Sequence, residues 1–228
     1  MLINNWDISL AHARQWNVRR GYSAITNQSE WTAGSNTPAV FSSKIGFKTL
    51  QVTLVVKAID KEEVQLGISK ILSALRDPAE IVLDGYDRKF FGVLISYEQE
   101  EVTQRRNQPF HRLTLNLEGY EYSAEITKTG TSSLTVYNPG TAPTPVILTI
   151  DSRYAGTITI TGLGKQISLQ GVTGREYVIN GETGLMTADG SLANVNIWSL
   201  PYLEPGNNTI TVSTANAPIT IQFKPRYM

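Results

Sequence analysis

The chain has 228 residues, with 20 basic and 20 acidic side chains, a formal net charge of zero and no cysteine. That length allows two modest cores, and the balanced charge offers no basic face to a dedicated nucleic-acid binder. Without thiols there are no disulfides, thiolate metal sites or cysteine nucleophiles.

Met1 to Leu10 carries Asn4, Asn5 and Asp7 where an export signal needs an unbroken apolar run, so Sec export is not expected. Membrane insertion is not expected either, since no apolar run approaches about 18 residues. Trp6, Trp16 and Trp31 follow, interleaved with Arg14, Arg19 and Arg20. They read either as aromatics buried on the first sheet or as a subunit interface, where Trp and Arg concentrate. Phe47 to Lys57 is β-branched enough to predict a strand. Asp60 and Glu63 then have the spacing of a capping box, and Val64, Ile68, Ile71, Leu72 and Leu75 recur on one face, predicting a helix over about 61–76 that Pro78 ends. Glu80 to Asp84 and Lys89 to Tyr97 read as strands joined by the tight segment Asp84 to Asp87. The stretch 98–109, with Glu98, Glu100, Glu101, Arg105 and Arg106, is too polar for a core. It reads as a solvated loop or as an arm docking on a neighbouring subunit. His111 to Tyr122 alternates as a strand, so residues 1–128 read as a β-rich domain with one packed helix.

Charged residues thin out after Thr127 while Gly, Thr, Ile and Asn take over. Residues 129–145, rich in Gly, Pro, Ser and Thr, read as a linker with one short strand at Leu134 to Tyr137. From 146 to 228, short segments including Val146 to Ile150, Thr157 to Thr161, Gln166 to Gln170, Glu176 to Asn180, Asn194 to Trp198, Asn208 to Ser213 and Ile219 to Lys224 alternate with turn signals such as Asn180-Gly181, Asp189-Gly190 and Pro205-Gly206. That spacing predicts an antiparallel β-sandwich or jelly roll.

Chemistry is sparse. The two histidines, His12 and His111, have no second histidine at metal-ligand spacing, and no G-x-S-x-G elbow occurs. Gly162-Leu163-Gly164-Lys165 lacks the earlier glycine and the hydroxyl of a phosphate loop, and reads as a hairpin turn. Asp84 with Asp87, and Glu98 with Glu100 or Glu101, are near in sequence, which does not supply the separation across a cleft that a glycosidase needs. No catalytic residue, metal or cofactor is expected. Trp198 and Tyr202 read as core closure or as a platform for a sugar.

The run from helix Val64 to Leu75 through Asp77-Pro78-Ala79-Glu80-Ile81-Val82-Leu83-Asp84 and Lys89-Phe90-Phe91-Gly92-Val93-Leu94 resembles the N-terminal domain of the distal tail (Dit) proteins of long-tailed, siphovirus-type bacteriophages. Asn138-Pro139-Gly140-Thr141 with Pro145, Thr157 to Ile160, Gln166 to Leu169, Tyr177 to Gly184 and Leu203 to Ile210 resemble the family's C-terminal galectin-like sandwich in order and spacing. Asn180 stands where relatives often carry Asp, so no acidic role is carried over there. The resemblance implies a non-enzymatic virion protein of the tail tip, assembled in the bacterial cytoplasm. It implies a homohexameric ring, alone or stacked back to back as a dodecamer, joining the tail tube protein to the tail-associated protein and any receptor-binding protein. On that view residues 1–128 build the ring, with Trp6, Trp16, Arg19, Arg20, Glu100, Glu101, Arg105 and Arg106 as interface candidates. The alternative is a carbohydrate-binding module for bacterial wall polysaccharide, with Trp198 and Tyr202 as contacts.

Overall fold

The computed structural model describes residues 1–31, 33–34, 36–102, 110–151, 156–171, 176–192, 199–213 and 216–228. The chain divides into two compact units, Met1–Glu121 and Tyr122–Tyr227.

In the first unit, β1 (Leu2–Ile3) and β2 (Trp6–Asp7) are joined by Asn4 and Asn5, both at positive φ, a conformation asparagine tolerates better than most residues. A 3₁₀ turn (Ile8–Ala11) leads into β3 (Ala13–Arg20). Next come β4 (Ile25–Glu30), β5 (Ala39–Ile45) and β6 (Lys48–Lys57). Helix α1 (Lys61–Ala74) is followed by β7 (Ala79–Val82), β8 (Lys89–Val102) and β9 (Phe110–Tyr122). The main sheet runs β2-β1-β7-β8-β9-β6-β3, and β4 and β5 form a separate two-stranded sheet. Alternation selects the buried face: Leu50, Val52, Leu54 and Val56 of β6 lie beside Leu113, Leu115 and Leu117 of β9 in one core.

The capping box places α1. Asp60 accepts a hydrogen bond from the Glu63 amide at 2.8 Å, and the Glu63 carboxylate accepts from the Ile59 amide at 3.3 Å. Val64, Ile68, Ile71 and Leu75 are buried as their spacing predicts. Gly67 is dictated by contact: a Cβ there would lie 2.5 Å from the Ala11 carbonyl oxygen, so any side chain would push the 3₁₀ turn off the helix.

One expectation is corrected here. Residues 98–102 are strand, not loop, because β8 continues past the core to Val102 with its acids facing partners on neighbouring elements. The segment 13–45, for which the sequence reading names no element, contributes β3, β4 and β5.

The second unit begins earlier than its composition suggests. It contains β10 (Ile126–Thr131), β11 (Ser133–Asn138), β12 (Thr144–Asp151), β13 (Gly156–Thr161), β14 (Ile167–Gly171), β15 (Glu176–Asn180) and β16 (Met186–Ala188). It continues with β17 (Ser191–Leu192), β18 (Tyr202–Leu203), β19 (Gly206–Val212), β20 (Pro218–Phe223) and β21 (Arg226–Tyr227). The order is β14-β13-β19-β11-β10-β20-β12-β15-β16-β17, with β18 also on β12, and the pairings among the described residues are antiparallel. Ile158, Ile160, Leu169, Ile179, Ile210 and Ile221 meet in a single core.

The predicted linker 129–145 is therefore wrong. Thr131 pairs with Ser133 around Ser132 at φ 60°, β10 pairs with β20 from Ile126↔Phe223 to Thr131↔Pro218, and β11 pairs with β19. The Pro- and Gly-rich stretch after β11 is a tied corner. Buried Asn138 donates to Thr144 Oγ1 at 3.2 Å and to the Leu203 and Glu204 carbonyls, and accepts from the Gly140 amide at 3.0 Å.

Candidate functional site

Glu121 lies at the end of β9, only 4% exposed, and is an acid with three cations around it. Lys48 Nζ donates at 2.9 Å, Arg20 at 3.2 Å, and the Arg88 guanidinium stands 3.8 Å away. Arg20 also covers the Tyr86 ring at 4.2 Å. A buried carboxylate is tolerable only with such pairing, and removing one partner typically costs several kcal/mol. Arg20 is the last residue of β3 and Lys48 the first of β6, so the single carboxylate grips both strands where the chain leaves the main sheet and where it returns.

Between those two residues the chain makes the β4–β5 hairpin. Its base is closed by the Gly21 amide on the Thr49 carbonyl at 2.8 Å and the Gly46 amide on the Ala24 carbonyl at 2.7 Å. Every residue of β4 is exposed. The pairs Ile25↔Ile45 and Ser29↔Val40 set the register, with an irregularity between Gln28 and Ser29 that leaves Phe41 without a partner of its own. Such a bulge keeps neighbouring residues on one side. Ile25, Ile45, Phe41 and Val40 consequently share a face with Asn27 and Ser29, while Thr26, Lys44, Gln28 and Ser42 share the other, where Ser42 donates to Gln28 Oε1 at 2.9 Å.

The remaining interface candidates are dispersed. Trp6 packs partly buried against the first core, as the burial reading expects, but Trp16 is 61% exposed beside Arg14, and Trp31 is likewise outside the core. A register shift between Gln15 and Asn17 turns Trp16 outward. Arg19 is exposed on the edge strand β3. Glu100 accepts from Arg112 at 2.8 Å, and Glu101 pairs with Lys61 at the start of α1 at 2.8 Å. The Lys61 hydrogen bond, then its charge, holds the Glu101 carboxyl below its ordinary value. Arg105 and Arg106 lie outside the described residues, as does Trp198 of the sugar-platform reading. Tyr202 is half-buried and lies over the Gly162–Gly164 turn, where a Cβ on Gly164 would collide with its ring. The exposed apolar residues of β4 and β5 escaped the sequence reading because their shared face emerges only from the bulged register. The adjacent apolar pair Val40-Phe41, followed by the polar run Ser42-Ser43-Lys44, is the available signal.

Among the described residues no three His, Asp or Glu side chains converge as a metal site, and no helix is long and apolar enough to cross a membrane.

Residues 139–227 match the family model SPP1_Dit, described as the C-terminal domain of the siphovirus-type tail component. End to end, the chain has the fold seen in the crystal structure of SPP1 Dit (gp 19.1), described as a paradigm of the hub adsorption apparatus in phages infecting Gram-positive hosts. The TM-score is 0.75 at 17% identity, over 100% of this chain and 98% of that one. The fold likeness extends over both units, while the family match covers the second unit alone. A looser alignment, to the phage P2 baseplate in its activated conformation with Ca, has a TM-score of 0.47 at 11% identity over 95% of this chain and 92% of that one, too distant to carry weight. No curated protein matches the chain by sequence.

Proposed function

We propose that this chain is a distal tail protein, a structural hub at the tip of a long phage tail, with no catalytic role. The observation that carries the reading is the end-to-end correspondence with SPP1 Dit, coverage of both chains being nearly complete. The family match of the second unit supports it independently. In this reading six copies close into a ring through the first unit. The ring joins the tail tube to the tail-associated protein, and the second unit braces any receptor-binding protein. Closed rings need head-to-tail contacts between different patches of one surface, which an exposed hairpin and an open sheet edge can make.

The test is location. Gold-labelled antibody against the chain, applied to intact particles that carry it, should decorate the distal end of the tail. Label on the head or along the tube, with a bare tip, would remove the hub reading.

A further inference from the structure

We propose that Asn180-Gly181, at the turn after β15, is a site of spontaneous covalent modification at which Asn180 loses its side-chain amide and becomes aspartate through a cyclic imide. Asn180 is the one asparagine in the sequence that precedes a glycine. With no Cβ on the following residue, the backbone nitrogen can swing onto the side-chain carbonyl carbon. The step needs only water. The Gly181 nitrogen bonds to Asn180 Cγ, the Cγ–Nδ2 bond breaks, and the displaced proton ends on the departing ammonia. Water then opens the imide, at Cγ to give aspartate or at the Asn180 main-chain carbonyl to give isoaspartate, whose backbone runs one carbon longer.

The turn is built to tolerate the product. Asn180 Oδ1 accepts from the Glu182 amide at 2.9 Å and from the Thr183 amide at 3.1 Å. Both partners are donors, so the oxygen and not Nδ2 must face them. The nitrogen that would leave makes no hydrogen bond among the described residues, so the fold loses nothing with it. A carboxylate accepts the same two amides as charge-assisted bonds, which are the stronger kind. Its new charge stands beside Glu182, whose own carboxylate is paired with Arg226 at 2.7 Å. Isoaspartate, by contrast, would push Gly181 off the Val146 carbonyl and disturb the Ile147↔Asn180 pairing, so aspartate is the form the turn retains.

The same turn sets the pace. The Gly181 amide, the nucleophile, donates to the Val146 carbonyl at 2.8 Å, and Gly181 is buried where any Cβ would collide with the Pro201 carbonyl. Attack therefore waits on the opening of that one hydrogen bond. A bond of about 1.4 kcal/mol would hold the folded chain about tenfold behind the unfolded one. A chain that is not replaced slowly gains one negative charge, starting from a formal net charge of zero.

The experiment incubates the full chain at neutral pH, folded and in denaturing urea, and follows acidic species by isoelectric focusing with peptide mapping by mass spectrometry. The expected result is conversion at Asn180, about tenfold slower in the folded chain, with no acidic shift from Asn180→Asp, which has no amide to lose there. Urea below the unfolding transition, at a concentration that speeds Gly181 amide exchange about tenfold by NMR, should speed conversion by the same factor. Asn180→Asp should fold with a thermal midpoint at or above that of the wild type. Equal rates in the folded and unfolded chains would overturn the gate. No conversion of the folded chain while the unfolded one converts completely would overturn the site, and a lowered midpoint in Asn180→Asp would overturn the fit of the product.

Discussion

A single asparagine shows why composition misplaces the start of the second unit. Asn138 sits in a sequence of Pro, Gly and Thr that reads as a linker, but its amide satisfies Thr144 Oγ1, two carbonyls and the Gly140 amide from a buried position. Thr144 Oγ1 in turn donates to the Ala142 carbonyl and accepts from the Arg226 amide at 3.1 Å. Asn138→Ala therefore strands several polar groups at once, each costing more unmet than its hydrogen bond contributes when made. The expected loss is about 2–4 kcal/mol of stability in urea unfolding followed by a probe of the second unit. A loss below about 0.5 kcal/mol, the range of an ordinary surface change, would mean that the corner does not organise the fold.

At the scale of elements, the long β8–β9 hairpin reaches beyond the core and is held by Lys61–Glu101 and Arg112–Glu100. Glu101 titrates below the ordinary 4.5 because its charged form is hydrogen-bonded by Lys61. A carboxyl lowered in the folded state contributes stability above its unfolded value and loses it as the pH falls through the lowered one, so this tie between β8 and α1 loosens only in acid. NMR titration should place the Glu101 midpoint below that of a free glutamate, and Lys61→Met should return it. An unmoved midpoint in that variant would show that the bridge does not form in solution. The same hairpin shows what a sequence conceals. Its acids mimic a loop because β8 continues where there is no core to bury a second face. The helix was legible because cap, period and terminating proline agree. β3 was not, since it is an edge strand with Arg14, Asn17 and Arg19 outward and a register shift at Trp16 that breaks the alternation. β4 and β5 bury nothing in their own domain, so no inward–outward pattern toward that domain exists to be read. Arg20, read from sequence as an interface candidate, pairs with Glu121 inside the chain, and that buried acid has no sequence signal beyond an acid inside an apolar strand.

For the whole molecule, assembly has two possible drivers, and magnitude separates them. The charged stretch that includes Glu100 and Glu101 offers exposed ion pairs, worth about 0–1 kcal/mol each, and both of these acids already have partners within the chain. The exposed apolar residues of the β4–β5 hairpin, Ile25, Val40, Phe41 and Ile45, offer on the order of 400 Å², which at ~25 cal/mol per Å² is about 10 kcal/mol before the cost of association is met. The second term dominates even after a large discount. Its signature is salt dependence: raising NaCl from about 0.1 M to about 1 M shrinks the Debye length from ~10 Å to ~3 Å and weakens contacts between exposed charges, while apolar contacts do not depend on that screening. Sulfate, which is excluded from protein surface, should strengthen them. Sedimentation of the wild type should accordingly show the same assembled mass across that NaCl range and assembly at lower protein concentration in sulfate. Dissociation as NaCl rises would transfer the interface from the hairpin to the charged stretch, and with it the choice of which residues to mutate in the ring.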